Sequence, residues 1–337
     1  MKNHKIHKIL IIQTASIGDV VLATPLIEKL SAFFPRAIID VLVKKGIEPL
    51  LSGHPKLSRV IIWDKANNKY TEMRSLVKQI RKEKYEVVIN LQRFASTGLI
   101  TTLSGSRIKV GFSKNPFSLF FTKALKHRIS ANPDSSEHEI HRNLSLIDSF
   151  TDCSRNYPVR LYPSQNDFAK VSHLKTHAYI TISPTSLWFT KQFPEVKWIE
   201  FLKASDNDLY VYFLGAKNDY TAADRIIIGC GHPNTLNLCG KLTFLESAAL
   251  MRDARMNFVN DSAPQHFASA MNAPVTSIFC STVTAFGFGP LSEDSAVVEI
   301  DEKLDCRPCG LHGYTKCPEG HFKCALDINT QKLTARL

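Results

Sequence analysis

The first clear strand and helix patterns of the chain lie in the stretch KILIIQTASIGDVVLATP, residues 8–25. The apolar run at 9–12 predicts a strand that is buried on both faces, because it leaves no polar side for water. Residues 20–34 then place apolar side chains at helical spacing. A buried strand that leads into a helix is the first half of a parallel β/α unit. The turn between the two carries an acidic residue, Asp19, directly behind Gly18.

The same alternation continues along most of the chain. Strands are predicted at residues 8–13, 37–43, 59–63, 86–91 and 107–112, and again at 178–183, 209–215, 235–238, 256–259 and 275–280. Helical patterns separate these runs, which favours parallel, doubly wound sheets. We therefore expect an α/β protein with one domain at 1–160, a second at 161–305 and a Cys-rich tail at 306–337. Two such domains that face each other would bind ligands in a central cleft, at the carboxyl ends of their strands.

Composition and charge limit the classes of protein. The 337 residues are 44% hydrophobic and 22% charged, as in ordinary globular proteins. No apolar run approaches the ~20 residues that cross a membrane, and the basic amino terminus lacks the pattern of a signal peptide, so we expect a cytoplasmic protein without a transmembrane segment. The net charge of +11 favours anionic partners such as phosphorylated substrates or an anionic membrane face. No helix-turn-helix or zinc-finger spacing is present, which argues against nucleic acid.

The acidic residue behind Gly18 has two interpretations. An Asp at the start of a helix caps its first amides and contributes ~1 kcal/mol of stability. A carboxylate at the carboxyl end of a strand also suits a general base. The turn has neither the G-x-G-x-x-G pattern of dinucleotide-binding proteins nor a P-loop. The residues alone therefore leave both roles of Asp19 open.

A second strand end is followed by NDSAPQHF, residues 260–267. This turn leads into a helix, and the amides of Ser262, Ala263 and Gln265 are expected to face a ligand. Together with the helix dipole, such amides suit a phosphate or diphosphate. The alternative is a well-capped helix in which His266 only packs.

A third strand end is followed by the loop PTSLWFTKQF, residues 184–193. Thr185 contributes a hydroxyl and Lys191 contributes an ammonium to this loop. Lysine binds phosphate as a point charge, so the loop suits an anionic ligand. The alternative is a lysine that is only solvated.

Four of the eight cysteines crowd into the tail, as Cys306, Cys309, Cys317 and Cys324. A C-x-x-C pair followed by two more cysteines in a cytoplasmic protein favours a structural zinc site. Reduced thiols that pack a loop-rich tail, or a disulfide formed on isolation, are the alternatives.

Three of these motifs in this order resemble glycosyltransferase family 9, the ADP-heptose:lipopolysaccharide heptosyltransferases, and the type II branch in particular. They are Gly18-Asp19 after the first strand, Lys191 before P-x-x-x-W, and N-D-S-x-x-x-H at 260–266. The likeness extends over residues 8–326 and includes HEIHRNL at 138–144. It implies a GT-B fold of two Rossmann-like domains, with the acceptor in the first and the ADP-sugar in the second.

The resemblance also implies roles for individual residues. Asp19 would be the base that deprotonates the acceptor hydroxyl. The donor contacts would come from Thr185, Lys191, Asp261, Ser262, Ala263 and His266. Gly18 and Arg93, which follow predicted strands, are expected beside the acceptor. Ala263 replaces a glycine that many members carry, and its methyl group narrows the approach of a phosphate to the backbone.

The expected reaction is transfer of heptose from ADP-L-glycero-D-manno-heptose to the lipopolysaccharide inner core. One base without a paired nucleophile implies inversion, and no cofactor is expected for catalysis. The anionic acceptor would bring the protein to the inner membrane face. There, the basic and aromatic residues of 114–128 could contact this acceptor. The alternatives are a family 9 enzyme with another nucleotide sugar and a non-catalytic sugar-nucleotide-binding protein. The missing glycine fingerprint argues against an NAD-dependent dehydrogenase.

Overall fold

The computed structural model describes residues 6–66 and 69–337, so the basic residues 1–5 at the amino terminus lie outside it. The chain divides into two compact units. Unit 1 comprises Met1–Arg128 and Glu139–Tyr162, and unit 2 comprises Ile129–His138 and Pro163–Leu337. Each unit has its own parallel sheet.

Unit 1 contains six strands and five α-helices among the described residues. The strands are β1 (Lys8–Ile12), β2 (Ile38–Lys44), β3 (Arg59–Trp63), β4 (Val87–Asn90), β5 (Ile108–Phe112) and β6 (Lys123–Leu125), and the helices are α1 (Ile17–Val21), α2 (Thr24–Phe33), α3 (Lys69–Glu83), α4 (Ala95–Leu103) and α5 (Glu139–Ser145). The strand order is β3-β2-β1-β4-β5-β6, all parallel. The order reverses between β1 and β4, so the loops that follow these two strands lie at the position where such sheets bind ligands.

The single helix predicted at 20–34 is two helices, α1 and α2. Pro25 lies in the first turn of α2, where it has no N–H to donate and its ring would clash with the carbonyl of Val21, four residues earlier. The hydroxyl of Thr24 donates to that same carbonyl at 2.7 Å. The proline therefore ends α1 after five residues, and Asp19 lies in a short helix of its own.

Unit 2 has the same kind of sheet, with six strands and seven α-helices among the described residues. The strands are β7 (Tyr179–Ser183), β8 (Tyr210–Phe213), β9 (Thr235–Asn237), β10 (Met256–Asn260), β11 (Val275–Ile278) and β12 (Ser295–Val298), and the helices are α6 (Gln165–Val171), α7 (Glu195–Lys203), α8 (Tyr220–Cys230), α9 (Phe244–Arg252), α10 (Ala263–Ala270), α11 (Lys323–Leu326) and α12 (Gln331–Thr334). Their order is β12-β11-β10-β7-β8-β9, all parallel. The switch point lies between β7 and β10, so the loops after these strands are neighbours.

Further differences from the sequence predictions concern two edge strands and the end of one helix. The strands β6 and β12 were not predicted, because each is a short edge strand with at most three consecutive apolar residues. The sequence pattern at 137–150 predicts a helix over that whole range, whereas α5 ends at Ser145. The hydroxyl of Ser145 donates to the Arg142 carbonyl at 2.6 Å, and the chain continues in tight turns such as Leu146 N to Asn143 O. None of the described helices is long and apolar enough to cross a membrane.

Candidate functional site

Asp19 closes the first turn of α1 through reciprocal hydrogen bonds with Ser16. The Asp19 N–H donates to Ser16 Oγ at 3.4 Å, while Asp19 Oδ2 accepts from Ser16 N at 3.1 Å and from Ser16 Oγ at 2.6 Å. This is a capping box, in which Ser16 is the N-cap and Asp19 is the third helical residue. Gly18 is buried inside the helix rather than in a preceding turn. The capping role of Asp19 is thus present in the structure, and its role as a base stays a prediction.

Buried polar groups that the motifs did not reveal join the strand ends around this turn. Lys65 follows β3, and its ammonium donates to the carbonyl of Thr14 at 3.1 Å and to its hydroxyl at 2.9 Å. Gln92 follows β4 and donates its amide to Gln13 Oε1 after β1. The periodicity of apolar residues predicts only where the strands lie. These contacts between strand ends depend on the order of the strands in the sheet, which periodicity does not give.

Arg93 was expected beside the acceptor. It directly follows Gln92, in the loop between β4 and α4, and is half-buried. Because β4 pairs with β1, this loop is the neighbour of the loop that leads into α1. The structure therefore places Arg93 on a loop of unit 1 that neighbours the loop leading into α1, the helix that carries Asp19.

In unit 2, Lys191 and Asp261 form an ion pair. Lys191 Nζ lies 2.7 Å from Asp261 Oδ2, and the two side chains are only 15% and 9% exposed. The hydroxyl of Thr282, a residue that the sequence motifs did not indicate, donates to the same oxygen at 2.6 Å. A largely buried ammonium needs such a countercharge. The ion pair holds the Lys191 ammonium at the switch point of the sheet, where this ammonium can also bind an anionic ligand.

Lys191 is held in place by the carboxy-terminal tail. The neighbouring Thr190 is buried, and its hydroxyl accepts from the Tyr314 N–H at 2.8 Å while its own N–H donates to the Tyr314 carbonyl at 3.1 Å. Gly313 has a φ of +77°. A Cβ at this position would lie 2.9 Å from Thr190 Oγ1 and 3.0 Å from Lys191 Cγ. The tail thus passes the lysine at a distance that leaves no room for a side chain.

Arg307 fastens the tail to the loop that follows β11. Its guanidinium donates to the carbonyls of Cys280 at 2.7 Å, Thr282 at 2.8 Å and Phe279 at 3.1 Å. A planar guanidinium with several donors suits such a set of acceptors. Because Thr282 contacts Asp261, the tail supports both members of the ion pair.

The amino terminus of α10 lies directly after Asp261. Ser262 is its N-cap, but the hydroxyl caps no amide of the first turn and donates instead to the Asn260 carbonyl at 3.3 Å. Ala263 is the first helical residue and is half-buried. The prediction that the Gln265 amide faces a ligand is wrong, because this amide donates to the Ser262 carbonyl at 3.2 Å.

His266 lies one turn into α10 and is buried. Burial, together with the nearby charges of His138 and Lys191, lowers its pKa to about 3. Its Nδ1 makes no hydrogen bond within the part of the chain that the structure describes. His266 is therefore a neutral imidazole near Lys191.

Thr185 is half-buried in the loop after β7.

The four tail cysteines are free thiols. Cys309 Sγ donates to the Cys306 carbonyl at 3.1 Å, and Cys306 Sγ lies 3.9 Å from the Nε2 of His321. Burial, together with the neighbouring cysteines, raises the pKa of the Cys324 thiol to about 12. Over residues 6–66 and 69–337, no group of three or more His, Cys, Asp or Glu side chains is arranged to hold a metal ion. The zinc site stays a prediction from cysteine spacing, and metal analysis of the purified protein tests it.

The HEIHRNL stretch supplies a buried ion cluster in unit 1. Both carboxylate oxygens of Glu139 lie about 3 Å from His127 Nε2, and Arg142 Nε donates to Oε2 at 2.7 Å. Burial opposes ionisation of Glu139, but these two partners outweigh it and lower the pKa of the carboxyl. The cluster joins α5 to the segment that follows β6.

The profile of glycosyltransferase family 9 (heptosyltransferase) matches residues 73–312. This match covers most of the chain and reaches into both units, and the chain belongs to that family. It is therefore a glycosyltransferase, as the motifs predicted.

Curated relatives and solved structures agree with this assignment. Lipopolysaccharide heptosyltransferase 3 of Escherichia coli is 28% identical over 279 residues, 79% of this chain and 81% of the relative. A solved structure of ADP-heptose lps heptosyltransferase II from E. coli aligns with a TM-score of 0.77 at 20% identity, covering 98% of this chain and 97% of that one. The E. coli heptosyltransferase WaaC with ADP-2-deoxy-2-fluoro heptose aligns with a TM-score of 0.67 at 21% identity, over 87% and 93% of the two chains. The predicted GT-B class, with its two Rossmann-like units, is confirmed.

Proposed function

We propose that this glycosyltransferase moves a heptose from ADP-L-glycero-D-manno-heptose to the inner core of lipopolysaccharide, with inversion at the anomeric carbon. Membership of family 9 and the lipopolysaccharide heptosyltransferases among its relatives support the sugar and the acceptor. Two structural neighbours, the ADP-heptose lps heptosyltransferase II of E. coli and WaaC with ADP-2-deoxy-2-fluoro heptose, support the nucleotide. The observation that carries the proposal is the Lys191–Asp261 pair beside the start of α10.

In this proposal unit 2 binds the donor. The Lys191 ammonium and the positive end of the α10 dipole face the diphosphate, with Thr185, Ser262, Ala263 and His266 as further contacts. When the bond between the anomeric carbon and the diphosphate breaks, negative charge grows on ADP. A fixed cation and a helix end stabilise that charge without reorganisation.

Unit 1 binds the acceptor. Asp19 takes the proton from the acceptor hydroxyl, whose oxygen forms the new bond to the anomeric carbon as ADP leaves. A single displacement inverts that carbon. Gly18 lies beside the base, and the guanidinium of Arg93 suits an anionic group of the glycolipid. No cofactor takes part in these steps, and the reaction is placed on the cytoplasmic side of the inner membrane.

A pair of matched variants tests the base. Asp167 forms the same capping box with Ser164 at the start of α6, with Oδ2 accepting from Ser164 N and Oγ at 2.6 Å each. Asp19→Asn and Asp167→Asn therefore remove equivalent capping charges. We expect kcat with ADP-heptose and a lipopolysaccharide-core acceptor to fall roughly 10²- to 10⁴-fold in the first variant only, while the Kd for ADP stays unchanged.

Other outcomes would assign other functions. Wild-type kcat in Asp19→Asn would remove this residue as the base. Transfer from a UDP- or GDP-sugar in preference to ADP-heptose would keep the family and change the donor. ADP binding without transfer from any donor would indicate a binding protein.

A further inference from the structure

One part of unit 1 is basic without any acidic residue. The segment 87–128 contains no Asp or Glu. Its basic residues are Arg93, Arg107, Lys109, Lys114, Lys123, Lys126 and Arg128. The segment runs from β4 through β6, so it forms the edge of the sheet on that side. The positive potential there is not balanced within the segment.

Large apolar side chains project from the same segment. Leu119 is 93% exposed, and Phe120 and Phe94 are each 62% exposed. Leu119 and Phe120 lie on the connection between β5 and β6, and Phe94 immediately precedes α4. Single exposed apolar residues are ordinary, but several together on a basic surface mark an interaction site.

Buried contacts hold the connection between β5 and β6 in place. Phe121 is buried where Gly111 leaves space, since a Cβ on Gly111 would lie 2.7 Å from the Phe121 ring. The buried amide of Asn115 donates to the carbonyls of Gln92 at 3.1 Å and Phe94 at 3.0 Å. These contacts anchor the connection at both ends and tie it to the loop of Phe94.

We propose that the membrane-docking tip, defined as Phe94, Leu119 and Phe120 with Lys114 and Lys126, binds an anionic phospholipid surface. Apolar side chains that insert at the headgroup boundary, with lysines beside them, are the combination that binds such surfaces. A second copy of the chain is a poorer partner, because a symmetric contact would bring the same basic residues together. The inference goes beyond the proposed function and does not rest on it, since lipid binding needs neither donor nor transfer.

Vesicle sedimentation tests the tip directly. The full-length protein is mixed with vesicles of phosphatidylcholine alone or of phosphatidylcholine with phosphatidylglycerol. We expect it to bind the anionic vesicles, with binding weakened by salt. Leu119→Ser is expected to lower the partition coefficient roughly tenfold, the effect of one inserted leucine. Lys114→Gln and Lys126→Gln are each expected to lower it roughly fivefold.

A matched control lies in unit 2, where Ile228 on α8 is 75% exposed. Ile228→Ser removes a largely exposed apolar side chain from the other unit, and we expect unchanged vesicle binding. Leu119→Ser is expected to keep wild-type kcat with a lipid-free soluble acceptor. Vesicle binding needs no transfer activity, so it is measured independently of the proposed reaction.

Several results would overturn the inference. One is absence of binding to the anionic vesicles. Equal binding to both kinds of vesicle, or an equal loss in Ile228→Ser and Leu119→Ser, would also do so. A dimer in sedimentation velocity that Leu119→Ser dissociates would assign the tip to a second copy of the chain.

Discussion

Replacing Gly313 by alanine tests whether the tail positions Lys191. Gly313 has a φ of +77°, and a side chain in this left-handed region costs about 1–2 kcal/mol. The new Cβ would also lie 2.9 Å from Thr190 Oγ1 and 3.0 Å from Lys191 Cγ. Thr190 is held by its bonds to Tyr314, so the flexible lysine stem is the group that moves. Such a movement would cost the hydrogen bond that the Lys191 ammonium is proposed to donate to ADP. A hydrogen bond from a charged donor contributes about 1.5–3 kcal/mol, so its loss predicts roughly 10- to 150-fold weaker binding of ADP.

Gly320 in the same tail provides the control. Its φ is +73°, and a Cβ there would meet nothing within 4 Å. Gly320→Ala and Gly313→Ala therefore share the conformational cost, which denaturant unfolding measures, and differ in the contact with Lys191. Calorimetric titration with ADP is expected to give the wild-type Kd for Gly320→Ala and a weakened Kd for Gly313→Ala. Wild-type affinity in both variants would refute the positioning role of the tail.

Two further predictions concern the charges of this protein. Asp261→Asn leaves the largely buried Lys191 ammonium without its countercharge, and we expect the free energy of unfolding in urea to fall by about 2–3 kcal/mol; an unchanged midpoint would contradict the pair. Burial lowers the pKa of His54 to about 4 and that of His266 to about 3, so both stay neutral in the folded chain while their unfolded forms take up protons below pH 6.5. Stability from these two groups is complete above pH 6.5 and falls by about 1.4 kcal/mol per pH unit for each histidine as the pH drops towards the folded values, and equal unfolding midpoints at pH 7 and pH 5 would oppose this.

The central strands and one edge strand of each sheet could be predicted from the sequence, whereas the other edge strands, β6 and β12, could not. β1, β4 and β7 are buried along almost their whole length, and this constraint leaves stretches that are mostly apolar. β6 is the three-residue strand Lys-Ala-Leu at a sheet edge, where only one neighbour constrains its side chains. The break between α1 and α2 depends on Pro25. The apolar spacing does not reveal this break, because the spacing continues across the proline.

The candidate site was predicted where its residues follow strands and missed where distant contacts assemble it. Asp19, Lys191 and Asp261 lie in segments that follow strands and carry local motifs, so the sequence marks them as candidates. Thr282 and Gly313 have no local pattern, because their importance comes from contacts with residues far away in the chain. Such positions become visible only when the fold brings the tail against the loop of Lys191.

The most direct test of the account is calorimetric titration of the wild-type protein and Lys191→Ala with ADP, beside UDP and GDP. The account predicts that the wild type prefers ADP at micromolar Kd, about −8 kcal/mol, and that Lys191→Ala binds it at least roughly tenfold more weakly. A preference for UDP or GDP would contradict the proposed donor, and equal affinity of the two proteins for ADP would contradict the placement of the diphosphate at Lys191.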